Sequence, residues 1–259
     1  MVIFLVFASV VVILWVGAQD VIAEYVAREF ASAALTAGLT ASDVEGAVER
    51  LGLQMLNHKC LSPTWSDALG WLSREDDRQA LRALVSKGSV LRVARINGKE
   101  AIETRHDRVL HSLLAAVIAT RLATGIDDVY LSDPYFAEYI GAAAAQVRLD
   151  ASDLQRLMQA SPLIAFFALQ EAISRKSDYA RVAADAIESW LSLVDTQSPA
   201  FVTRRRRALG ILRDIDSPII LDLTEKFPLG DHHQPLFEAR FRNGDLGAAL
   251  SWLTEYPFE

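Results

Sequence analysis

One cysteine, Cys60, stands among 259 residues. That excludes an intrachain disulfide and any zinc site built on cysteines, and it fits a reducing compartment. No G-x-x-x-x-G-K-[ST] occurs, so there is no P-loop to cradle nucleotide phosphates on backbone amides. No acidic run follows a hydrophobic strand to offer a magnesium ligand. G-x-S-x-G is missing too, and Cys60 has no His-Asn or His-Asp context, so no nucleophile for covalent catalysis is indicated. Positive charge is in deficit, with 26 Lys+Arg against 33 Asp+Glu and a formal net charge of -7. That balance argues against broad nucleic-acid binding.

Charge is missing altogether from residues 2–18, VIFLVFASVVVILWVGA, and Asp20 is the first ionised side chain. A bilayer-spanning helix needs a run of about 17 to 25 apolar residues, and Trp15 would suit an interface. A signal peptide is a competing reading, because VGA resembles a small-residue cleavage site, but the basic leader is missing. The plainer alternative is a core segment whose packing partner belongs to a larger domain. Residues 1–19 are therefore set apart as a hydrophobic segment, either a membrane anchor or an orphaned core helix.

What is present is apolar and periodic. Hydrophobic residues make up 51% of the chain, with a mean hydropathy of +0.19, a composition that folds. Over 20–34 the spacing of Ile22, Val26, Phe30 and Ala33 predicts a helix capped by Asp20. A second helix follows, with Ser42 or Asp43 as its cap and an apolar face of Val44, Val48, Leu51 and Met55. SPTWSDALGWL predicts a short helix with Pro63 in its first turn. EDDRQALRALVSK predicts another, stopped by Gly88. The period then changes to two: SVLRVARI and KEAIETR flank Asn97-Gly98, a strong two-residue hairpin signal. Helices followed by a hairpin predict a winged-helix module within residues 20–110.

From His106 onward the helical period returns and persists. Segments of similar length alternate with Asp-Pro, Ser-Pro and Asp-Ser-Pro turns, and residues 111–259 are expected to form HEAT-like helical pairs in an α-solenoid. The clearest pair is RRALGILRDI-DSP-IILDLTEKF. Solenoids ordinarily end on a polar cap, and SWLTEYPFE is not one, so a segment of a longer protein is expected.

Between the hairpin and the first long helix stands ETRHDRVLHSLL. The stretch ALRALVSKGSVLRVARINGKEAIETRHDRVLHSLLA resembles the winged-helix region of STAND-class signalling NTPases, the group with NACHT and NB-ARC domains. In that family a wing strand runs into a helix through a His-Asp pair, and His106 and Asp107 stand in those places, with Arg105 where a methionine is usual. The resemblance implies that His106, with Arg105 beside it, contacts the phosphate of bound ADP, and that Asp107 caps the following helix. Asp107 also reads as an N-cap on its own merits, and an imidazole at a helix N-terminus suits a phosphate. The bland reading of the same residues is a helix cap with solvated arginines. Lacking a P-loop, the chain is expected to bind no cofactor alone, and ADP or ATP only in an assembly with a P-loop domain.

Other candidates are weaker. Arg204, Arg205, Arg206 and Arg207 wrap around a helix start and cannot all face one ligand. An exposed first turn on a solenoid surface is the commoner reading of such a run, and a patch for an anionic partner is the alternative, mildly favoured because arginines there oppose the helix dipole. His232 and His233 have no third ligand at metal spacing, nor do His58 and Cys60, and no metal site is expected. Trp65, Trp71, Trp190 and Trp252 fall on apolar helical positions as core anchors. Glu75, Asp76 and Asp77 begin the helix that would have to meet DNA, against nucleic-acid binding.

The sequence thus predicts a mostly α chain, a winged-helix module followed by a HEAT-like solenoid. Its expected role is non-catalytic: a regulatory and sensing segment of a STAND-type NTPase, located in the cytoplasm, binding a nucleotide-binding domain or a trigger protein. The alternative is a helical-repeat scaffold tethered to the inner membrane through residues 2–18.

Overall fold

The computed structural model of the chain describes residues 18–96, 98–125, 129–193, 208, 210–212, 215 and 217–227. The described residues are mostly helical, with one two-stranded antiparallel hairpin. The chain divides into two compact units between Thr120 and Arg121. The hydrophobic segment 2–18, the arginine run 204–207, the histidines 232 and 233, and Trp252 lie outside the described residues, save for the backbone of Ala18.

The first unit opens with α1 (Ala18–Ala37), α2 (Ala41–Asn57), α3 (Trp65–Trp71) and α4 (Glu75–Lys87). Helices α1, α2 and α4 pack on one another because each brings one apolar stripe. Val26, Phe30 and Ala33 come from α1, Val44, Leu51 and Met55 from α2, and Leu81 and Leu84 from α4, all buried in a common core. Asp20 lies inside α1 instead of capping it, since the helix begins by Ala18.

The cap of α2 is Thr40, not Ser42 or Asp43. Thr40 Oγ1 accepts from the Asp43 backbone N–H, and the Asp43 carboxylate accepts from the Thr40 backbone N–H, a reciprocal capping box. Thr64 caps α3, its Oγ1 accepting from the Asp67 N–H at 3.1 Å. Pro63 therefore precedes the cap instead of filling the first turn, and its carbonyl accepts from Ile102 N–H at 2.8 Å. Gly88 ends α4 in the left-handed region at φ 62°, where a side chain would be strained.

Strands β1 (Leu91–Ile96) and β2 (Lys99–Thr104) pair with Ile96 opposite Lys99, so the turn between them is two residues long. Thr64 adds an isolated antiparallel bridge to Ala101 on the far side of β2. The element order is thus helix, single-bridge strand, short helix, helix, hairpin. Helix α5 (Asp107–Leu122) follows two residues after β2.

The second unit begins with two 3₁₀ turns, Val129–Ser132 and Pro134–Phe136. Then come α6 (Ala137–Val147), α7 (Ala151–Ala160), α8 (Leu163–Ser174), α9 (Tyr179–Leu193) and α10 (Pro218–Lys226). Helix α8, LIAFFALQEAIS, is apolar nearly all round, and it is the inner element: Ile164, Ala165, Phe166, Ala168 and Leu169 have no exposure. It packs against α6, α7 and α9, and Phe166 meets Trp190 of α9 edge-on at 6.0 Å. Helix α6, AEYIGAAAAQV, lies very close to it. A Cβ at Gly141 would stand 2.6 Å from the Ile164 carbonyl, so only glycine permits this approach.

Candidate functional site

The residues singled out by the sequence meet where β2 gives way to α5. The backbone N–H of Arg105 donates to the Val90 carbonyl at 2.9 Å, which carries the hairpin ladder one step beyond Thr104. The carbonyl of His106 then accepts from Val109 N–H at 2.9 Å and from Leu110 N–H at 3.3 Å. Those are the first bonds of α5, so the cap position falls on His106. Asp107 becomes the first residue of the helix instead of its cap, and its exposed carboxylate lies in the first turn, where it favours the positive end of the helix dipole. This corrects the expected cap by one residue.

The side chains of Arg105, His106 and Arg108 are all exposed. Arg105 is already engaged, its Nη1 donating to the Gly88 carbonyl at 3.2 Å. It therefore lies beside the carbonyl end of α4 as well as beside His106. Val109, the first core residue of α5, is 3% exposed and fixes the helix against the common core of the first unit.

The α4–β1 turn beneath this junction is tied to α1. Tyr25 Oη donates to the Ser89 carbonyl at 2.8 Å, and Ser89 Oγ donates to Glu29 Oε2 at 2.7 Å. The Lys87 ammonium donates to Ser32 Oγ. Nothing in the sequence marked Tyr25, Glu29 or Ser89, because each is joined to its partner across 60 or more residues.

The acidic start of α4 is largely neutralised within the unit. Asp77 is 1% exposed and accepts two bonds from Arg50 of α2, at 2.8 Å from Nε and 2.6 Å from Nη2. The Asp77 carboxylate holds the Arg50 guanidinium above its ordinary pKa. Glu75 accepts from Arg82 at 2.8 Å and from Arg78 at 3.4 Å. The Arg82 bond, ahead of the Arg78 contacts, holds its carboxyl below the usual range. Asp76 stands 3.6 Å from Arg74. So the three carboxylates differ: one is structural and buried, two are exposed in surface pairs.

His58 stacks face to face on Trp71, with ring centroids 4.6 Å apart, and Cys60 is half-buried two residues on. Among the described residues no three His, Cys, Asp or Glu side chains group closely enough to hold a metal ion. No helix among them is long and apolar enough to cross a membrane. Compared with known proteins, the chain matches no family model, no curated protein and no solved structure.

Proposed function

We propose that the chain is a non-catalytic regulatory and sensing segment of a STAND-type NTPase, working by protein binding and conformational switching. The observation that carries this reading is the junction itself. A hairpin strand runs within two residues into a long helix, and an exposed histidine sits at the position whose carbonyl starts that helix. The preceding order of helix, single-bridge strand, short helix, helix and hairpin supports a winged-helix module. In the second unit, α8 packed among α6, α7 and α9 supports HEAT-like pairing, with outer helices shielding an inner one.

On this reading His106 touches a phosphate of ADP held by a P-loop domain in the same assembly. The contact exists in the resting state and is lost on activation. Helix α5 contributes the positive end of its dipole at that point. The partner is a protein, either the nucleotide-binding domain or the trigger, and the helical unit supplies the broad surface that recognises the trigger.

The test is His106→Ala in the reconstituted assembly, with ADP retention and signalling output measured at matched expression. A charge-assisted hydrogen bond of about 1.5–3 kcal/mol is removed. ADP retention is expected to fall about ten- to a hundredfold, with output rising in the absence of trigger. Unchanged ADP retention with simple loss of output would reduce the His-Asp pair to a helix start and remove the main support for the reading.

A further inference from the structure

The turn between α4 and β1 collects bonds from two sides. Gly88 leaves the helical conformation at φ 62°, so the carbonyls that follow it take no part in α4. Three consecutive ones are nonetheless occupied. Arg105 Nη1 donates to the Gly88 carbonyl, Tyr25 Oη to the Ser89 carbonyl, and the Arg105 backbone N–H to the Val90 carbonyl. Glu29, one helical turn along α1 from Tyr25, accepts from the Ser89 hydroxyl. Helix α1 thus grips the turn from one side, and the residue preceding His106 grips it from the other.

We infer that Gly88–Ser89–Val90 is a latch through which α1 fixes the β2–α5 junction, with Tyr25 and Arg105 as its positioning residues. Arg105 is thereby assigned to holding His106 in place, not to touching a phosphate. Its guanidinium lies at the carbonyl end of α4, the negative pole of that helix, which repels an anion. His106 lies at the opposite kind of pole, the amide end of α5. The two neighbours in sequence therefore face opposite electrostatic settings. A partner that shifts α1 would release Ser89, slacken the turn and loosen Arg105, which biases the junction between a held and a free arrangement. Only the role of His106 as a phosphate contact rests on the function proposed above; the latch does not.

Backbone hydrogen exchange on the full chain without nucleotide tests it. Tyr25→Phe keeps the ring and deletes the bond to Ser89. It is expected to speed exchange of the Arg105, Val109 and Leu110 amides about fivefold, the worth of one hydrogen bond, with the Leu51 and Met55 amides of α2 unchanged. Arg105→Ala should speed Val109 and Leu110 to a similar degree, and the two changes combined should exceed neither alone by much, as expected for members of one network. Junction amides unaffected by Tyr25→Phe, or accelerated no more than those of α2, would overturn the latch. An intact latch alongside unchanged ADP retention in His106→Ala would count against the nucleotide reading alone. Absence of the latch alongside loss of ADP retention would count against this inference alone.

Discussion

The Arg50–Asp77 pair joins two very different environments. The Asp77 side chain is 2% exposed, whereas that of Arg50 is 41% exposed. Removing either partner breaks the same two hydrogen bonds, but what is left behind differs. Asp77→Ala frees an arginine that can turn into solvent, a loss of about 1–2 kcal/mol in hydrogen bonding. Arg50→Ala strands a carboxylate in the core between α2 and α4, and an uncompensated buried charge costs about 3–5 kcal/mol. Denaturant unfolding of both single variants is therefore expected to show Arg50→Ala as the more damaging by about 2 kcal/mol, and the double variant as less damaging than the sum. Equal losses from the two single variants would mean that Asp77 reaches solvent when unpaired. Two neighbouring carboxylates, Glu75 and Asp76, are exposed, and their surface pairs are worth far less.

Three of the described helix starts follow one rule. Thr40, Thr64 and Asp150 each accept from the backbone N–H of an aspartate three residues on, Asp43, Asp67 and Asp153. The sequences TASD, TWSD and DASD therefore share one cap geometry. The Thr40 hydroxyl, at 2.6 Å, and then its backbone N–H hold the Asp43 carboxyl below its ordinary pKa of 3.8. A depressed carboxylate contributes stability that is fully present above the unfolded value and is lost as pH falls through the folded one. The cap of α2 should accordingly fail only below the ordinary carboxylate range. In Thr40→Ala, the Asp43 titration followed by NMR is expected to rise toward 3.8, and stability at neutral pH to fall by about 1 kcal/mol. An unmoved titration midpoint would show that the hydroxyl is not what holds the carboxylate. Ser152 Oγ and the Asp153 N–H play the same part for Asp150, whose carboxyl is likewise lowered, chiefly by the Asp153 backbone bond.

At the scale of the whole chain, Ile22 is the first residue of α1, among the described ones, that packs against the core of the first unit. Val26, Phe30 and Ala33 supply the stripe that α2 and α4 enclose. Because the winged-helix and helical-repeat patterns of the sequence begin only after it, deletion of residues 1–19 is expected to leave cooperative unfolding intact, as measured by far-ultraviolet circular dichroism against denaturant. Loss of the cooperative transition would make the hydrophobic segment part of the core and would remove the anchor reading. If residues 2–18 are an anchor, the full chain should sediment with membranes and be released by detergent but not by salt, since apolar insertion is not screened by ions.

Among the described residues, the periodic signals in the sequence were enough for most elements and their buried faces. Val44, Val48, Leu51 and Met55 recur at helical spacing and are all buried on α2. Gly88 marks the end of α4, and Asn97-Gly98 separates two strands that pair with a two-residue turn. These are short-range facts: a helix is set by bonds four residues long and a hairpin by its turn. The caps were placed wrongly: Thr40, not Ser42 or Asp43, starts α2, and Thr64 starts α3 after Pro63, because each threonine oxygen accepts from the N–H of the aspartate three residues on. What only the tertiary structure decided was which partner each polar side chain found. Glu75, Asp76 and Asp77 are indistinguishable as a run, yet successive residues on a helix point about 100° apart, and only Asp77 faces Arg50 across the α2–α4 contact. Arg105 reads as a solvated neighbour of His106, but the chain reversal at Gly88 brings a bare carbonyl within its reach. Tyr25 and Ser89 stand 64 residues apart in sequence, and no local rule links them. Their bond exists because packing α1 against α4 sets one helix's tyrosine over the turn that follows the other.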